Sequence, residues 1–85
     1  MNKYQESNDY EMKIIQHIAR LSSHGYWGKE LNIVAWQLRS PKIDIRSWTA
    51  DHSKIGKGVA LTKQEAIALR DALINLNLEE VGTID

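Results

Sequence analysis

The sequence of 85 residues contains no cysteine, no phenylalanine and a single proline, Pro41. Without cysteine, neither a disulfide nor a thiolate metal site can reinforce the fold. No apolar run approaches the roughly 20 residues of a membrane span, and residues 1–11 lack the apolar segment of a signal peptide. A domain of this size has a small core, which oligomerisation commonly reinforces. We therefore expect one soluble, cytoplasmic domain over residues 10–85, preceded by a flexible tail over residues 1–9.

The chain also lacks net charge, because eleven basic residues balance eleven acidic ones. The two signs are nevertheless segregated. Residues 20–63 contain eight basic and three acidic residues (net +5), whereas residues 64–85 contain one basic and five acidic residues (net −4). Such segregation predicts a basic face, whose local field attracts a polyanion such as nucleic acid. Composition alone is equally compatible with scattered, solvated charge.

Two segments alternate as half-buried strands do, and a turn at Arg39-Ser40-Pro41 joins them into an antiparallel hairpin. In residues 30–37 one face carries Leu31, Ile33 and Ala35, and the other Asn32, Val34 and Trp36. In residues 42–48 one face carries Ile43 and Ile45, and the other Lys42, Asp44, Arg46 and Trp48. A loop over residues 49–55 and a strand over 56–61 follow. Residues 10–23 fit either a helical face or a strand.

Thr62-Lys63-Gln64-Glu65 is a capping box and predicts the start of a helix. Two apolar stripes follow at helical spacing. The first contains Ala66, Leu69, Leu73 and Leu76, and the second contains Ile67, Ile74 and Leu78. One stripe suffices to cover a small sheet, so the second predicts a homodimer interface between paired helices.

The strongest candidate site is the strand face that carries Trp36, Lys42, Arg46 and Trp48. Bases stack on indole rings at about 1–3 kcal/mol each, and phosphates pair with cations, so single-stranded nucleic acid matches such a surface. The alternative is that both tryptophans belong to the core. A helix can cover only one face of the sheet, and the isoleucines and leucine of the opposite face already supply an apolar one, which favours the binding interpretation.

Weaker candidates lie nearby. Trp27 and Lys29 repeat the pairing of ring and cation, although a tryptophan that caps the core explains Trp27 equally well. Lys54 and Lys57 flank Gly56, where the backbone could approach a phosphate, but a β-bulge is the commoner explanation.

No catalytic or metal site is predicted. The three histidines (His17, His24 and His52) lack metal-ligand spacing. Asp44 has an ordinary explanation as an ion pair with its basic neighbours. Asp51-His52-Ser53 is contiguous, whereas a catalytic triad is assembled across a fold, so it predicts a loop. We expect neither an enzyme nor a cofactor.

Two ordered motifs resemble a known family. Ile43-Asp44-Ile45-Arg46-Ser47-Trp48, then Gly56-Lys57-Gly58-Val59-Ala60-Leu61 and a capped helix, resemble the C-terminal domain of the transcriptional coactivator positive cofactor four. Residues 28–32 and 48–58 are similar to its short bacterial branch, and the likeness covers residues 18–76. The resemblance implies four antiparallel strands and one helix, dimerised through the helices, with curved sheets that form channels for single strands. It makes residues 12–22 the first strand.

The resemblance also implies roles for individual residues. Arg46 takes the position of a backbone-contacting arginine, and Lys57 that of the lysine before the glycine of the fourth strand. Trp48 and Trp36 fall at or near aromatic positions of the family. The loop that contains Arg39 and Lys42 departs from the eukaryotic pattern, and the regulatory serine-rich tail of the eukaryotic proteins is absent.

Together these observations predict sequence-tolerant binding of single-stranded DNA by a homodimer, with a coactivator-like role at melted DNA in transcription, replication or repair. Single-stranded RNA is an alternative ligand. A dimeric adaptor that docks on RNA polymerase through its acidic helix end is an alternative of another class. The predicted contacts are Trp27, Lys29, Trp36, Arg39, Lys42, Arg46, Trp48, Lys54 and Lys57.

Overall fold

The computed structural model describes residues 5–6, 12–37 and 39–82. Its elements, in chain order, are β1 (Gln5–Glu6), β2 (Met12–Arg20), β3 (Trp27–Trp36), β4 (Lys42–Thr49), β5 (Lys54–Leu61), α1 (Lys63–Ile74) and a 3-10 turn (Leu78–Glu80). All strand pairs are antiparallel, in the order β1-β5-β4-β3-β2. Four long strands followed by one helix confirm the predicted α+β fold.

The N-terminal segment is partly paired. Gln5 and Glu6 lie opposite Ile55 and Lys54 of β5. The flexible tail over residues 1–9 stays a prediction, and within it the structure describes only the pairing of these two residues. The other residues of that segment lie outside the described residues.

The ambiguous segment is a strand with two β-bulges. The register of β2 against β3 shifts between Ile14 and Gln16 and again between His17 and Ala19, so that Ile15 and Ile18 are the extra residues. Each bulge breaks the two-residue period and bends the strand. This explains why the apolar residues of β2 also matched a helical spacing, and it confirms the strand that the resemblance implied.

The sheet has two different faces. The face that we call the concave face carries, from β2 to β4, Met12, His17, Glu30, Asn32, Val34, Trp36, Asp44, Arg46 and Trp48, paired across neighbouring strands. The core lies on this face and contains Met12, Val34, Trp48 and Ile55, with Ile14 and Trp36 packed against it.

The opposite face, which we call the helix face, carries Leu31, Ile33, Ile43 and Ile45, and all four side chains are only half-buried. We expected this face to form the core. The buried side chains instead lie on the concave face, while α1 packs mainly on β4 and β5 and leaves the helix face half-buried.

Helix α1 begins as predicted. Thr62 Oγ1 accepts from the Glu65 amide at 3.1 Å, and Glu65 Oε1 accepts from the Thr62 amide at 2.8 Å. The helix ends earlier than the apolar stripes suggested, because the Asn75 side chain donates to the Asp71 carbonyl at 2.9 Å at its C-cap. Leu76 and Leu78 therefore lie beyond the helix. In the part of the chain that the structure describes, no helix is long and apolar enough to cross a membrane.

Candidate nucleic-acid interface

A cleft of about 410 Å³ opens where β3 ends and β4 begins. Trp36 ends β3, Lys42 begins β4, and the turn between them is closed by the Arg39 amide, which donates to the Trp36 carbonyl at 2.9 Å. Gln37, with a left-handed φ of 50°, makes the tight reversal. The lining residues are Trp36, Gln37, Arg39, Lys42 and Ala60. The fold thus brings one indole ring and two of the predicted cations together.

Arg46 connects this cleft to the interior of the sheet. Its Nε lies 2.7 Å from Asp44 Oδ1 and its Nη2 lies 2.7 Å from Asp44 Oδ2, a bidentate pair with a carboxylate that is fully buried. The Arg46 Cζ also lies 5.7 Å from the centroid of the Trp36 ring, within the range of a cation–π interaction. The ion pair expected from the sequence for Asp44 is confirmed. The fold itself therefore balances most of the charge of Arg46.

Trp48 lies in the core. Its side chain is 1% exposed, and its ring centroid lies 5.4 Å from that of His52. A base cannot stack on a buried ring, so the expectation that Trp48 is a stacking residue is corrected in this structure. The physical reason is that His52 and the core residues Val34 and Ile55 pack around Trp48, whereas Trp36 lines the cleft at the other end of the face.

Trp27 and Lys29 lie on the helix face, because they alternate with the concave-face residues of β3. A Cβ at Gly56 would lie 3.5 Å from the Trp27 ring, so this indole packs over the glycine of β5. The predicted pairing of Trp27 and Lys29 is therefore separate from the cleft.

Lys54 and Lys57 are exposed on β5, on either side of Gly56. The pairing of β4 with β5 shifts between Arg46 and Trp48, which places a bulge beside these lysines, the commoner explanation for glycines in a strand. Gly58 is needed there, because a Cβ at this position would overlap Cβ of Arg46. The two lysines are placed on a neighbouring strand and do not line the cleft.

A buried carboxylate organises the other end of the concave face. Glu30 is 1% exposed and accepts from Arg20 Nη1 at 2.7 Å, from Asn32 Nδ2 at 3.2 Å and from His52 Nε2 at 2.9 Å. His17 Nδ1 lies 3.5 Å from the same carboxylate. A Cβ at Gly28 would overlap the Arg20 guanidinium, so this glycine lets the arginine reach Glu30. We call this group the Glu30 cluster.

The pKa of Glu30 is lowered. Burial by itself raises it, but the hydrogen bonds from His52 and Asn32, together with the charges of His52 and His17, outweigh that effect. His52 has a left-handed φ of 62°, which is unusual for a residue other than glycine and places its ring between Trp48 and Glu30.

Little in the sequence pointed to the Glu30 cluster, because its members come from β2, β3 and the loop before β5. The available signal was Glu30 itself, which shares the alternating face of Asn32, Val34 and Trp36 and so had to be buried with partners. In residues 5–6, 12–37 and 39–82, no set of three His, Cys, Asp or Glu side chains is grouped so that it could hold a metal ion.

The loop before β5 is held by Asp51. Its Oδ1 accepts from Thr49 Oγ1, Ser53 Oγ and the Ser53 amide at 2.9, 2.7 and 2.9 Å. A hydrogen bond from Tyr26 and those from Ser53 and Thr49 hold the pKa of Asp51 well below its usual range, and the same bond raises the pKa of Tyr26. The loop predicted for Asp51-His52-Ser53 is confirmed.

Fold and site together define a small α+β protein whose bent antiparallel sheet carries a cation-lined cleft. No model of a known protein family matches the chain. A protein of Treponema pallidum (strain Nichols), described as an uncharacterized protein, is 40% identical over 74 residues, which are 86% of this chain and 87% of that protein. The chain belongs to the same family as the Treponema protein.

Proposed function

We propose that the protein binds single-stranded nucleic acid, DNA in the first place, in the cleft at Trp36, and that it does so in the cytoplasm as a homodimer. The observation that carries the proposal is the half-buried Trp36 ring with Arg39, Lys42 and Arg46 around it. A base that stacks on the ring brings its phosphate within reach of these side chains. Four long strands and one helix also agree with what the likeness to positive cofactor four implies.

Single strands fit this cleft better than a duplex does. Stacking needs an unpaired base that can leave its neighbours, whereas a duplex offers mainly its phosphates. The cleft presents cations and one ring, without a helix that could enter a groove. Sequence-tolerant binding follows, because every base has a face that can stack. A coactivator-like role at melted DNA in transcription, replication or repair is the cellular counterpart of this activity.

The homodimer rests on uncovered apolar surface. No described residue of α1 is buried, and Ile67, Ile74 and Leu78, the predicted interface, are 38%, 72% and 53% exposed. A second copy of the chain can cover these side chains and the half-buried helix face together. Two clefts in one particle would also raise the apparent affinity for a long strand.

The test is a titration of a labelled oligo-dT of about 20 nucleotides, of a matched duplex and of an oligo-U, at several salt concentrations. For the DNA strand we expect log affinity to fall with log salt with a slope near −0.7 per phosphate contact. Trp36→Ala is expected to weaken binding about tenfold, because one stacked base contributes about 1–3 kcal/mol. Trp27→Ala, on the helix face, is the matched control and is expected to bind like the original chain.

A second pair of variants separates charge from stacking. Lys42→Gln is expected to weaken binding of all sequences and to reduce the salt slope by about 0.7, whereas Lys29→Gln on the helix face leaves the slope unchanged. Lys42 is a cleaner probe than Arg46, because removing Arg46 would leave Asp44 buried without its partner. Equal losses of affinity in Lys42→Gln and Lys29→Gln would contradict binding in the cleft. Tighter binding of oligo-U than of oligo-dT would identify RNA as the preferred ligand. If none of the ligands binds, the alternative of an adaptor that docks on RNA polymerase would remain.

A further inference from the structure

His17 occupies a defined place in the hydrogen-bond network of the concave face. Its Nδ1 lies 2.7 Å from Asn32 Oδ1, and Asn32 Nδ2 donates to Glu30 at 3.2 Å. Because the Asn32 amide nitrogen is directed to the carboxylate, its oxygen must accept, so His17 Nδ1 carries the proton. Nε2 is then the ring nitrogen that these hydrogen bonds do not use. The side chain is 50% exposed, so solvent and ligands can reach the ring.

The two protonation states of this imidazole differ in what they offer to a phosphate. In the neutral ring Nε2 presents a lone pair, which repels a phosphate oxygen. In the protonated ring Nε2 is a donor with a positive charge, the stronger kind of hydrogen bond. The Glu30 carboxylate, 3.5 Å from Nδ1, stabilises the positive ring from behind. Histidine is the side chain whose charge ordinarily changes between about pH 5 and 8.

His17 lies on a row that crosses the sheet to the cleft. His17, Asn32, Asp44 and Ala60 are successive partners from β2 to β5, and Ala60 lines the cleft. Partners on adjacent antiparallel strands lie only about 4.5–5.5 Å apart. Asn32 and Asp44 are themselves buried, so a single strand that left the cleft along this row toward β2 would meet His17 as the exposed end of the row.

The other charges around His17 largely cancel. Among the described residues, the titratable and charged side chains on this face, from β2, β3, β4 and the loop before β5, are Arg20, Glu30, Asp44, Arg46 and His52. Arg20 pairs with Glu30, and Arg46 pairs with Asp44. If the His17 imidazole takes up a proton, the net charge of these side chains therefore changes from near zero to positive.

We propose that His17 is a second phosphate-binding position on the concave face, which the bound strand contacts when the imidazole is protonated. Affinity for single strands then rises in mildly acid solution, and one phosphate contact is added. This inference rests on the proposed function, because it concerns the same bound strand.

The test compares the salt slope for the same oligo-dT at about pH 5.5 and pH 8. We expect the slope of the original chain to be steeper by about 0.7 at the lower pH, the value for one added contact. His17→Gln is expected to abolish this difference and to leave binding at the higher pH unchanged. His24→Gln is the matched control, because His24 is exposed in the turn between β2 and β3, and it is expected to keep the difference.

The outcomes separate the two proposals. Binding with equal slopes at both pH values overturns the role of His17 and leaves the proposed function standing. Absence of binding at both pH values overturns both. A steeper slope that persists in His17→Gln assigns the added contact to another group and also rejects His17.

A second measurement does not depend on the variants folding. At about pH 5.5 the carbon-bound ring protons of His17 in the original chain are expected to shift in the NMR spectrum on addition of the oligonucleotide, while those of His24 do not. A His17 signal that stays in place as the strand binds contradicts the proposal.

Discussion

At the scale of single residues, Glu30 shows how a buried charge joins separate parts of this sheet. It accepts hydrogen bonds from β2 through Arg20, from its own strand through Asn32 and from the loop before β5 through His52. A buried carboxylate without partners would be strongly destabilising, whereas one with three donors fixes the elements that supply them. The Glu30 cluster is therefore a structural crosslink that requires the carboxylate to remain ionised.

This requirement predicts an acid limit of stability. The pKa of Glu30 in the folded chain is below its ordinary value of 4.5, so the ionised form is favoured by folding. Its stabilisation is fully present above that ordinary value and is lost as the pH falls through the folded value. Glu30→Gln is expected to lower the free energy of unfolding at neutral pH by about 2 kcal/mol, because buried donors lose a charged acceptor. Urea unfolding from pH 7 to about pH 3 measures both effects.

The control for this experiment is Glu79→Gln, since Glu79 is exposed in the 3-10 turn. It is expected to match the original chain within about 0.5 kcal/mol. The gap between the original chain and Glu30→Gln should narrow as the pH falls below about 4.5. A difference in the free energy of unfolding that is independent of pH would mean that the Glu30 side chain acts through its shape and not through its charge.

At the scale of elements, alternation in the sequence predicted β3 and β4 well, and even which residues share a face. What it could not decide was which face is buried, because that depends on which loops and side chains cover the sheet. His52, from the loop before β5, packs on Trp48, and neither this contact nor the bulges at Ile15 and Ile18 have a signature in hydrophobic periodicity beyond a broken pattern. Trp36 and Lys42 were thus found as candidates, while Trp48 of the same face proved to be core.

The start of α1 was the most predictable boundary, because a capping box is a purely local signal. Thr62→Ala is expected to lower the free energy of unfolding by about 1 kcal/mol, since the Glu65 amide loses its acceptor. Urea unfolding at a fixed protein concentration measures this change. Thr62→Ser retains the hydroxyl and should behave like the original chain. Equal losses for Ala and Ser would show that packing of the threonine methyl group, and not the cap, carries the stabilisation.

At the scale of the whole molecule, α1 and the helix face carry much of the apolar surface that the described part of the chain leaves exposed. The concave face buries its own core, while α1 and the helix face remain partly exposed. A domain of this size has few other means of reinforcement, given the absence of cysteine. In the proposed dimer, the surface for a second copy would lie on the opposite side of the sheet from the cleft, so that dimerisation and the proposed strand binding would not compete for the same residues.

This arrangement predicts that a charge on the helix dissociates the particle. Ile74 is 72% exposed on α1, and Ile74→Asp would bury an unpaired carboxylate if a second copy covers it, which a dimer tolerates poorly. Sedimentation equilibrium at micromolar concentration is expected to give a dimer for the original chain and a monomer for the variant. Ile15→Asp, at a residue that is 57% exposed on β2, is the control and should remain dimeric. A stable monomer of the original chain would refute the pairing and leave α1 as the surface for a different partner.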